Sequence, residues 1–120
     1  APLPAWSSGR VALLGDACHP MLPMMAQGAA QAIEDGGALV SILSAMKGDL
    51  PAALGRYEAE RKPRATRLQQ ASSTNRVRFH LTDGPAQEKR DAEMAVAGDR
   101  SLDAIAWLYG HDAAKVAKTA

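Results

Sequence analysis

The fold of this chain is decided by one stretch, RVALLGDACHPMLPMMAQGAA, at residues 10–30. The stretch opens with a short apolar run that ends at Gly15, a pattern typical of a strand buried on both faces of a parallel sheet. Pro20 and Pro23 follow, and their spacing suits neither a helix interior nor a central strand. The sequence therefore predicts a buried strand that leads into a rigid loop.

A helix is predicted after this loop, from Gln27 or Gly28 to Met46. Small residues fill the early turns of this helix. One face of the helix is formed, at helical spacing, by Ile33, Gly37, Val40 and Ser44. Each glycine inside a helix costs roughly 1 kcal/mol relative to alanine. We therefore expect a neighbouring backbone or a ligand to pack very close to this helix.

A second helix is predicted to begin at Pro51, which suits a first turn, with Asp49 or Leu50 at the cap. Pro63 would remove one backbone hydrogen bond from this helix. A kink or a break is therefore expected near Arg61–Lys62, after which the helical pattern resumes.

The remaining chain is predicted to hold a turn at residues 82–85, helices over 86–96 and 102–109, and a frayed tail. A single strand cannot form a sheet alone, so its partners are expected in a missing N-terminal part or in another subunit. We therefore expect a mostly α chain with one buried strand, a fragment of an α/β fold. Residues 1–48 would form a strand–loop–helix unit, and residues 49–120 a helical segment that packs on it.

Composition excludes several classes of function. The 14 basic and 13 acidic residues leave a net charge of +1, which gives no electrostatic reason to expect nucleic acid or an anionic membrane as a partner. No apolar run approaches the ~20 residues of a membrane helix, and the N-terminus has no signal-peptide pattern. With a single cysteine, the chain fits a reducing, cytoplasmic setting. It lacks a starting Met and suggests a piece cut from something longer.

The chemistry is expected between the end of the strand and the start of the first helix. Asp16 directly follows Gly15 at the strand's carboxyl end, where ligands bind in open α/β sheets, and its carboxylate can accept hydrogen bonds from hydroxyls. The free N–H groups near Gly28 at the helix N-terminus suit an electron-rich oxygen, and Gly28 leaves room for close approach. Together these features describe a site for a polyol attached to an electron-poor ring.

The same residues carry a family resemblance. The stretch GDACHPMLPMMAQG at 15–28, followed by Glu34–Asp35, resembles the second FAD-binding motif of the single-component flavoprotein aromatic hydroxylases. The nearest likeness is to the salicylate hydroxylase and 6-hydroxynicotinate monooxygenase group. The stretches RYEAERKPR at 56–64 and WLYGHD at 107–112 also look like that group's C-terminal helices, with less specific motifs.

This resemblance implies a Rossmann-like FAD-binding fold of the para-hydroxybenzoate hydroxylase type. Asp16 would hydrogen-bond the ribityl chain of FAD, and Pro23 would lie beside the flavin ring. Backbone N–H groups of Gln27, Gly28 and Ala29 would face the pyrimidine oxygen of the ring. The family's reaction is the reduction of FAD by NAD(P)H and the hydroxylation of a small aromatic substrate.

The sequence departs from the family pattern in two respects. Ala26 stands where many members have Gly, a change also seen in the salicylate hydroxylase-like group. No G-x-G-x-x-G occurs in the chain, so the adenine half of the FAD site and most of the substrate pocket are expected in an N-terminal part. We therefore expect no catalysis from these 120 residues alone.

The sequence is also compatible with two other functions. The chain could be a non-catalytic helical module that forms a homodimer through its C-terminal helices, with the lone strand pairing with another copy. It could also come from another flavoenzyme of the same fold, such as a halogenase, because fold does not settle function.

Other residues with chemical potential have simpler interpretations. His19 is predicted to be a structural hydrogen-bonding residue and not a catalytic one. Cys18, His19, His80 and His111 match no zinc-ligand spacing, so no metal is expected, and nothing marks Cys18 as a nucleophile. The three methionines Met21, Met24 and Met25 could line an aromatic pocket or simply fill gaps.

The charged and aromatic residues of the helices are interpreted as structural. Glu34–Asp35 is predicted to form helix ion pairs. The charged run in residues 58–67 is predicted to be a solvated helix face with local ion pairs. Trp107 and Tyr109 are predicted to fill a small core or an interface.

Overall fold

A computed structural model describes residues 2–96, 102–113 and 115 of the chain. A two-stranded hairpin of β1 (Ser7–Ser8) and β2 (Val11–Ala12) comes first. Two short 3₁₀ turns follow, Gly15–Ala17 and Pro23–Met25. The rest is helical: α1 spans Gly28–Ala45, α2 Leu50–Phe79, α3 Pro85–Val96 and α4 Leu102–Tyr109. The mostly helical character therefore agrees with the sequence prediction.

The predicted buried strand is shorter and more exposed than expected. β2 has two residues and pairs antiparallel with β1, so that Ser7 lies opposite Ala12. Gly9, with φ of +57°, reverses the chain between them. Val11 is 66% exposed. The strand therefore has a partner within the chain, because the turn at Gly9 brings the preceding segment beside it.

Helix α1 begins and ends within one residue of the prediction, but its buried face is not the one marked by Ile33 and Val40. The buried residues are Gln31, Asp35, Ala38 and Ile42. Ile33 is 77% exposed and Val40 is 64% exposed. In the part of the chain that the structure describes, no atom beyond the adjacent residues and the helix's own backbone lies within 4 Å of where a Cβ would stand on Gly36 or Gly37. The close packing expected there is thus not found among these residues.

Helix α2 is continuous over 30 residues, so the helix does not break near Arg61–Lys62, and the kink expected there as the alternative stays a prediction. Asp49 caps its start, since the carboxylate accepts a hydrogen bond from the Ala52 N–H at 3.0 Å. Pro63 and Ala59 are both exposed. The hydrogen bond that the proline removes therefore lies on the solvent side, where water can satisfy the free carbonyl.

The core lies between α1, α2 and the N-terminal segment. Its central side chains are Trp6, Cys18, Ile42, Ala53, Tyr57 and Ala65. The Tyr57 hydroxyl donates a hydrogen bond to the Leu13 carbonyl at 3.2 Å and so fixes the segment after β2 on α2. This core places the two 3₁₀ turns against the helices.

The last two helices follow the predicted boundaries. Helix α3 has no buried residue. The end of α4 is held by Arg64, which donates hydrogen bonds to the carbonyls of Trp107 at 2.6 Å and Leu108 at 2.8 Å. The Arg67 guanidinium lies 3.8 Å from the centre of the Trp107 ring. Tyr109 is 68% exposed whereas Leu108 is buried, so Tyr109 does not fill a core among the described residues, and its interface role stays a prediction. Most of the predicted tail lies outside the described residues.

Among the described residues, none of the helices combines the length and the hydrophobicity needed to span a bilayer.

Ile42 and Ile33 provide a matched test of which face of α1 supports the fold. Ile42 is fully buried in the core, whereas Ile33 is exposed on the opposite face. We expect Ile42→Ala to lower the free energy of unfolding by about 2–5 kcal/mol, because it leaves a cavity. Ile33→Ala should change it by less than about 0.5 kcal/mol. Urea unfolding followed by circular dichroism measures both, and equal losses would contradict the assignment of the faces.

Candidate functional site

A cleft of about 670 Å³ lies where the first 3₁₀ turn, the proline-containing loop and the start of α1 meet. The six residues predicted as a ligand site from the sequence all line it, namely Gly15, Asp16, Pro23, Gln27, Gly28 and Ala29. Met21 and Ala32 contribute apolar wall. The structure thus brings the predicted residues to one concave surface.

Gly15 fixes the turn on one side of this cleft. Its φ of +61° is a left-handed conformation that favours glycine, and an added Cβ would lie 3.2 Å from Cβ of Ala32 on α1. Its carbonyl accepts hydrogen bonds from the backbone N–H groups of Cys18 and His19, both at 3.0 Å. The turn is therefore pressed closely onto α1, and only glycine fits at this point.

Asp16 is exposed and lies next to the start of α1. A Cβ added to Gly28 would come within 3.9 Å of the Asp16 Oδ1 atom and of Met21 Cγ. The missing side chain at Gly28 therefore keeps the space between the carboxylate and the helix N-terminus open to a ligand.

The N-terminus of α1 supplies hydrogen-bond donors, whereas the Asp16 carboxylate supplies an acceptor. The Gln31 N–H donates to the Gln27 carbonyl at 2.9 Å, and the preceding amides of the first turn have no partner within the helix. Gln27 makes no side-chain cap, and no acidic residue occurs in the first turn. Ala26, at φ of 51°, turns the chain into the helix. The free N–H groups and the helix dipole make this end a site for an electron-rich oxygen.

A buried network of charged residues adjoins the cleft at Gly15. Asp35 is fully buried, and its Oδ2 atom accepts hydrogen bonds from the Gly15 N–H at 3.0 Å and from His19 Nε2 at 2.5 Å. Its Oδ1 atom accepts one from Arg61 Nε at 2.8 Å. The structural role predicted for His19 and Asp35 agrees with this placement.

The charged run of α2 is not simply a solvated face. Arg61 is 1% exposed, and besides Asp35 it donates to Glu34 and to the Gln31 side chain, each at 2.8 Å. Arg64 donates to both carboxylate oxygens of Glu34, at 2.8 and 2.9 Å. The prediction of a solvated face was therefore wrong for these two arginines, because α1 presents two carboxylates directly opposite them.

These contacts determine the protonation of the acids. Burial alone would raise the pKa of Asp35, but hydrogen bonds from His19, Arg61 and the Gly15 amide outweigh it and hold the pKa below its usual range. Burial alone would also raise the pKa of Glu34. Arg64 and Arg61 outweigh this effect, so the pKa of Glu34 is lowered as well. Both residues are therefore carboxylates near neutral pH.

Cys18 and His19 lie beside this network but do not line the cleft. Burial, reinforced by the Asp35 charge, raises the pKa of the Cys18 thiol to about 11, which opposes a role as a nucleophile. Ligand atoms of Cys18, His19 and Asp35 lie within 4.8 Å of one another. Because Arg61 already pairs with Asp35, a further cation at this point would be repelled.

Comparison with known proteins agrees with this geometry. Residues 3–72 match the family model described as FAD binding domain, a range that includes the whole cleft. The chain belongs to the FAD binding domain family. Its cleft fits the cofactor of that family, since the carboxylate of Asp16 and the free amides at the α1 start offer the acceptor and donors that a ribityl chain and a flavin ring require.

Relatives of this FAD binding domain are monooxygenases. The 3-amino-4-hydroxybenzoate 2-monooxygenase PtnB3 of Streptomyces platensis is 49% identical over 92% of this chain and 28% of its own length. The 6-hydroxynicotinate 3-monooxygenase of Pseudomonas fluorescens is 56% identical over 62% of this chain and 20% of its own. The crystal structure of FqzB superposes with a TM-score of 0.76 at 40% identity, covering 95% of this chain and 26% of that one. The chain thus spans about a quarter of the length of these relatives.

The lowered pKa values of Asp35 and Glu34 predict loss of stability in acid. A carboxyl group whose pKa is lower in the folded state stabilises the fold above its unfolded-state pKa, and that contribution disappears as the pH falls through the folded-state pKa. We therefore expect the free energy of unfolding to decrease steadily as the pH falls below about 4.

The variant Glu34→Gln should show a smaller decrease over the same pH range, measured by urea unfolding at a series of pH values. Glu60→Gln is the control, because Glu60 is exposed on α2. An unchanged pH dependence in Glu34→Gln would contradict the role given to its ion pairs with Arg61 and Arg64.

Proposed function

We propose that this chain is the C-terminal part of an NAD(P)H-dependent flavoprotein monooxygenase that hydroxylates a small aromatic compound. The observation that carries the proposal is the gathering of all six motif residues on one cleft, with the Asp16 carboxylate beside the N-terminus of α1. Relatives named as monooxygenases of hydroxybenzoate and hydroxynicotinate support it. Their names favour a hydroxylase over a halogenase.

In this proposal each wall of the cleft holds a different part of FAD. The Asp16 carboxylate accepts hydrogen bonds from ribityl hydroxyls, and Pro23 lies against the ring. The amides of Gln27, Gly28 and Ala29 donate toward a ring oxygen that gains negative charge on reduction. When bound, FAD passes electrons from the nicotinamide cofactor to dioxygen, and the protein's task is to hold, orient and polarise it.

The adenine half of the site and most of the substrate pocket would belong to an N-terminal part of the same enzyme. Relatives more than three times as long as this chain support that division. In this proposal the 120 residues alone are inactive. A cytoplasmic enzyme fits the single, buried cysteine.

A second cleft adjoins the first and fits an aromatic substrate. It has a volume of about 740 Å³ and shares Pro23 and Ala26 with the flavin cleft. Its walls include Met24, Met25, Phe79, Trp107 and Tyr109, with the polar side chains Asn75 and Arg78. Apolar and aromatic walls with few polar groups are typical of small-molecule sites. In this proposal Met24 and Met25 line the pocket of the aromatic ring, and Arg78 offers a cation for an acidic substituent.

A non-catalytic dimerisation role is the second candidate. It is favoured by apolar side chains exposed on α2 and α3, namely Val77 at 58%, Phe79 at 49%, Met94 at 46% and Val96 at 90%. The lone strand no longer supports it, because β2 pairs with β1. Two measurements separate the flavin-binding role from the dimerisation role: light scattering on the chain and flavin titration of the complete protein. A chain that forms a tight dimer, together with a complete protein that binds no flavin, would favour the dimerisation role.

The flavin assignment predicts the effect of Asp16→Ala in the complete protein. Loss of hydrogen bonds to a charged acceptor should raise the Kd of FAD by roughly tenfold or more. Flavin fluorescence during titration measures the Kd. The control is Asp83→Ala, which removes an exposed carboxylate from the turn before α3. Equal FAD affinity of Asp16→Ala and the original protein would refute the assignment.

The second cleft predicts a separate effect of Phe79→Ala. Removal of one aromatic wall should weaken binding of an aromatic ligand by several-fold and leave FAD affinity unchanged. The ligands to be tested are 6-hydroxynicotinate and 3-amino-4-hydroxybenzoate. Their binding is measured by the change that they cause in the flavin absorption spectrum. Val77→Ala on the same helix, outside this cleft, is the control. A ligand that binds Phe79→Ala as tightly as the original protein would exclude this cleft as its site.

A further inference from the structure

Asp35 touches none of the space that a ligand would fill. Its side chain is fully buried, and it is absent from the walls of the flavin cleft. Its three hydrogen-bond donors come from three separate segments: the Gly15 amide in the first 3₁₀ turn, His19 in the loop, and Arg61 on α2. A single carboxylate on α1 therefore joins the first 3₁₀ turn, the loop and α2.

These contacts converge on the residue directly before Asp16. The Gly15 N–H donates to Asp35 at 3.0 Å, and the Gly15 carbonyl accepts from the amides of Cys18 and His19. His19 in turn reaches Asp35 through Nε2, while its Nδ1 has no hydrogen-bond partner among the residues that the structure describes. Both polar groups of the Gly15 backbone are thus held, directly or through one residue, by Asp35.

Helix α1 carries both Asp35 and the opposite wall of the cleft. Asp35 lies seven residues after Gly28, which corresponds to about 10 Å along a rigid helix. Because Gly15 is tied to Asp35 and pressed against Ala32, the same helix that presents free amides at Gly28 also sets where the 15–17 turn stands. These two contacts of Gly15 with α1 therefore set the separation between the 15–17 turn, which carries Asp16, and those amides.

We propose that Asp35 is a positioning residue for cofactor binding, which holds Asp16 at its working distance from the α1 N-terminus through Gly15 and His19. Arg61 keeps Asp35 in place and balances its charge. The inference rests on the proposed flavin function of the cleft. It assigns to Asp35 a part in cofactor affinity and not only in folding.

The test measures FAD affinity in the complete protein by flavin fluorescence. Asp35→Asn should raise the Kd of FAD by roughly tenfold, because the neutral amide cannot accept from all three donors. Ile42→Ala is the matched control: Ile42 is equally buried on the same helix and contributes to stability, but contacts neither Gly15 nor His19 through a hydrogen bond. Its folded fraction should bind FAD as the original protein does.

A double-variant cycle separates positioning from a general loss of structure. If Asp35 acts through Asp16, the variant Asp16→Ala/Asp35→Asn should bind FAD no more than about twofold more weakly than Asp16→Ala alone. If the Kd of FAD in the double variant rises by the product of the two single effects, the proposal is overturned. The variant Asp35→Asn/Arg61→Met also removes the buried arginine that has lost Asp35 as a partner and keeps only Glu34 and Gln31. It should recover stability toward urea while the Kd stays raised; recovery of the Kd as well would show that Asp35 only supports folding.

His19→Asn keeps the test decisive if Asp35→Asn does not fold. It removes one donor and leaves the ion pair with Arg61 intact, and it should raise the Kd of FAD by a few-fold. An unchanged Kd in that case overturns the proposal. The results also distinguish failure of the flavin function from failure of the positioning role. Normal FAD binding by Asp16→Ala would contradict the flavin function. Normal FAD binding by the Asp35 and His19 variants alone would contradict only the positioning role of Asp35.

Discussion

The structure depends on one buried ion pair, between Asp35 on α1 and Arg61 on α2. Neither charge could remain in the interior alone, because an unpaired buried ion costs several kcal/mol. Together they fix the relative position of the two longest helices, and the remaining acceptor of Asp35 holds the turn at Gly15. A polar connection at this point specifies one arrangement, whereas a small Ala-rich core would tolerate several.

The candidate site was largely predictable from the sequence because its signals are local. The glycine and the two prolines delimit the loop, and the start of α1 follows from the first helical turn beyond them. Residues so close along the chain need little tertiary information to meet on one surface. The same holds for the cap at Asp49, whose carboxylate bonds an amide three residues later.

The burial of Arg61 and the buried face of α1 could not be predicted in the same way. Apolar Ile33 and Val40 drew attention to the wrong face, because periodicity assumes that hydrophobic residues lie inside. The signal that was available is a shared spacing. The four buried residues of α1 and the last four buried residues of α2 follow the same intervals, with an acid on α1 and a base on α2. These residues are Gln31, Asp35, Ala38 and Ile42 on α1, and Arg61, Ala65, Leu68 and Ser72 on α2. The buried charge on either helix is explained only when the other helix is considered with it.

The burial of Cys18 has a consequence for chemical durability. A thiol is oxidised through its thiolate, and a group with a pKa of about 11 has almost no thiolate at neutral pH. If the chain belongs to a flavoprotein monooxygenase, as proposed above, this cysteine is shielded from oxidation both by its protonation and by the surrounding core. Met24 and Met25 are only half-buried and their thioethers need no deprotonation to be oxidised, so oxidative damage would reach the loop of the cleft before it reached the interior.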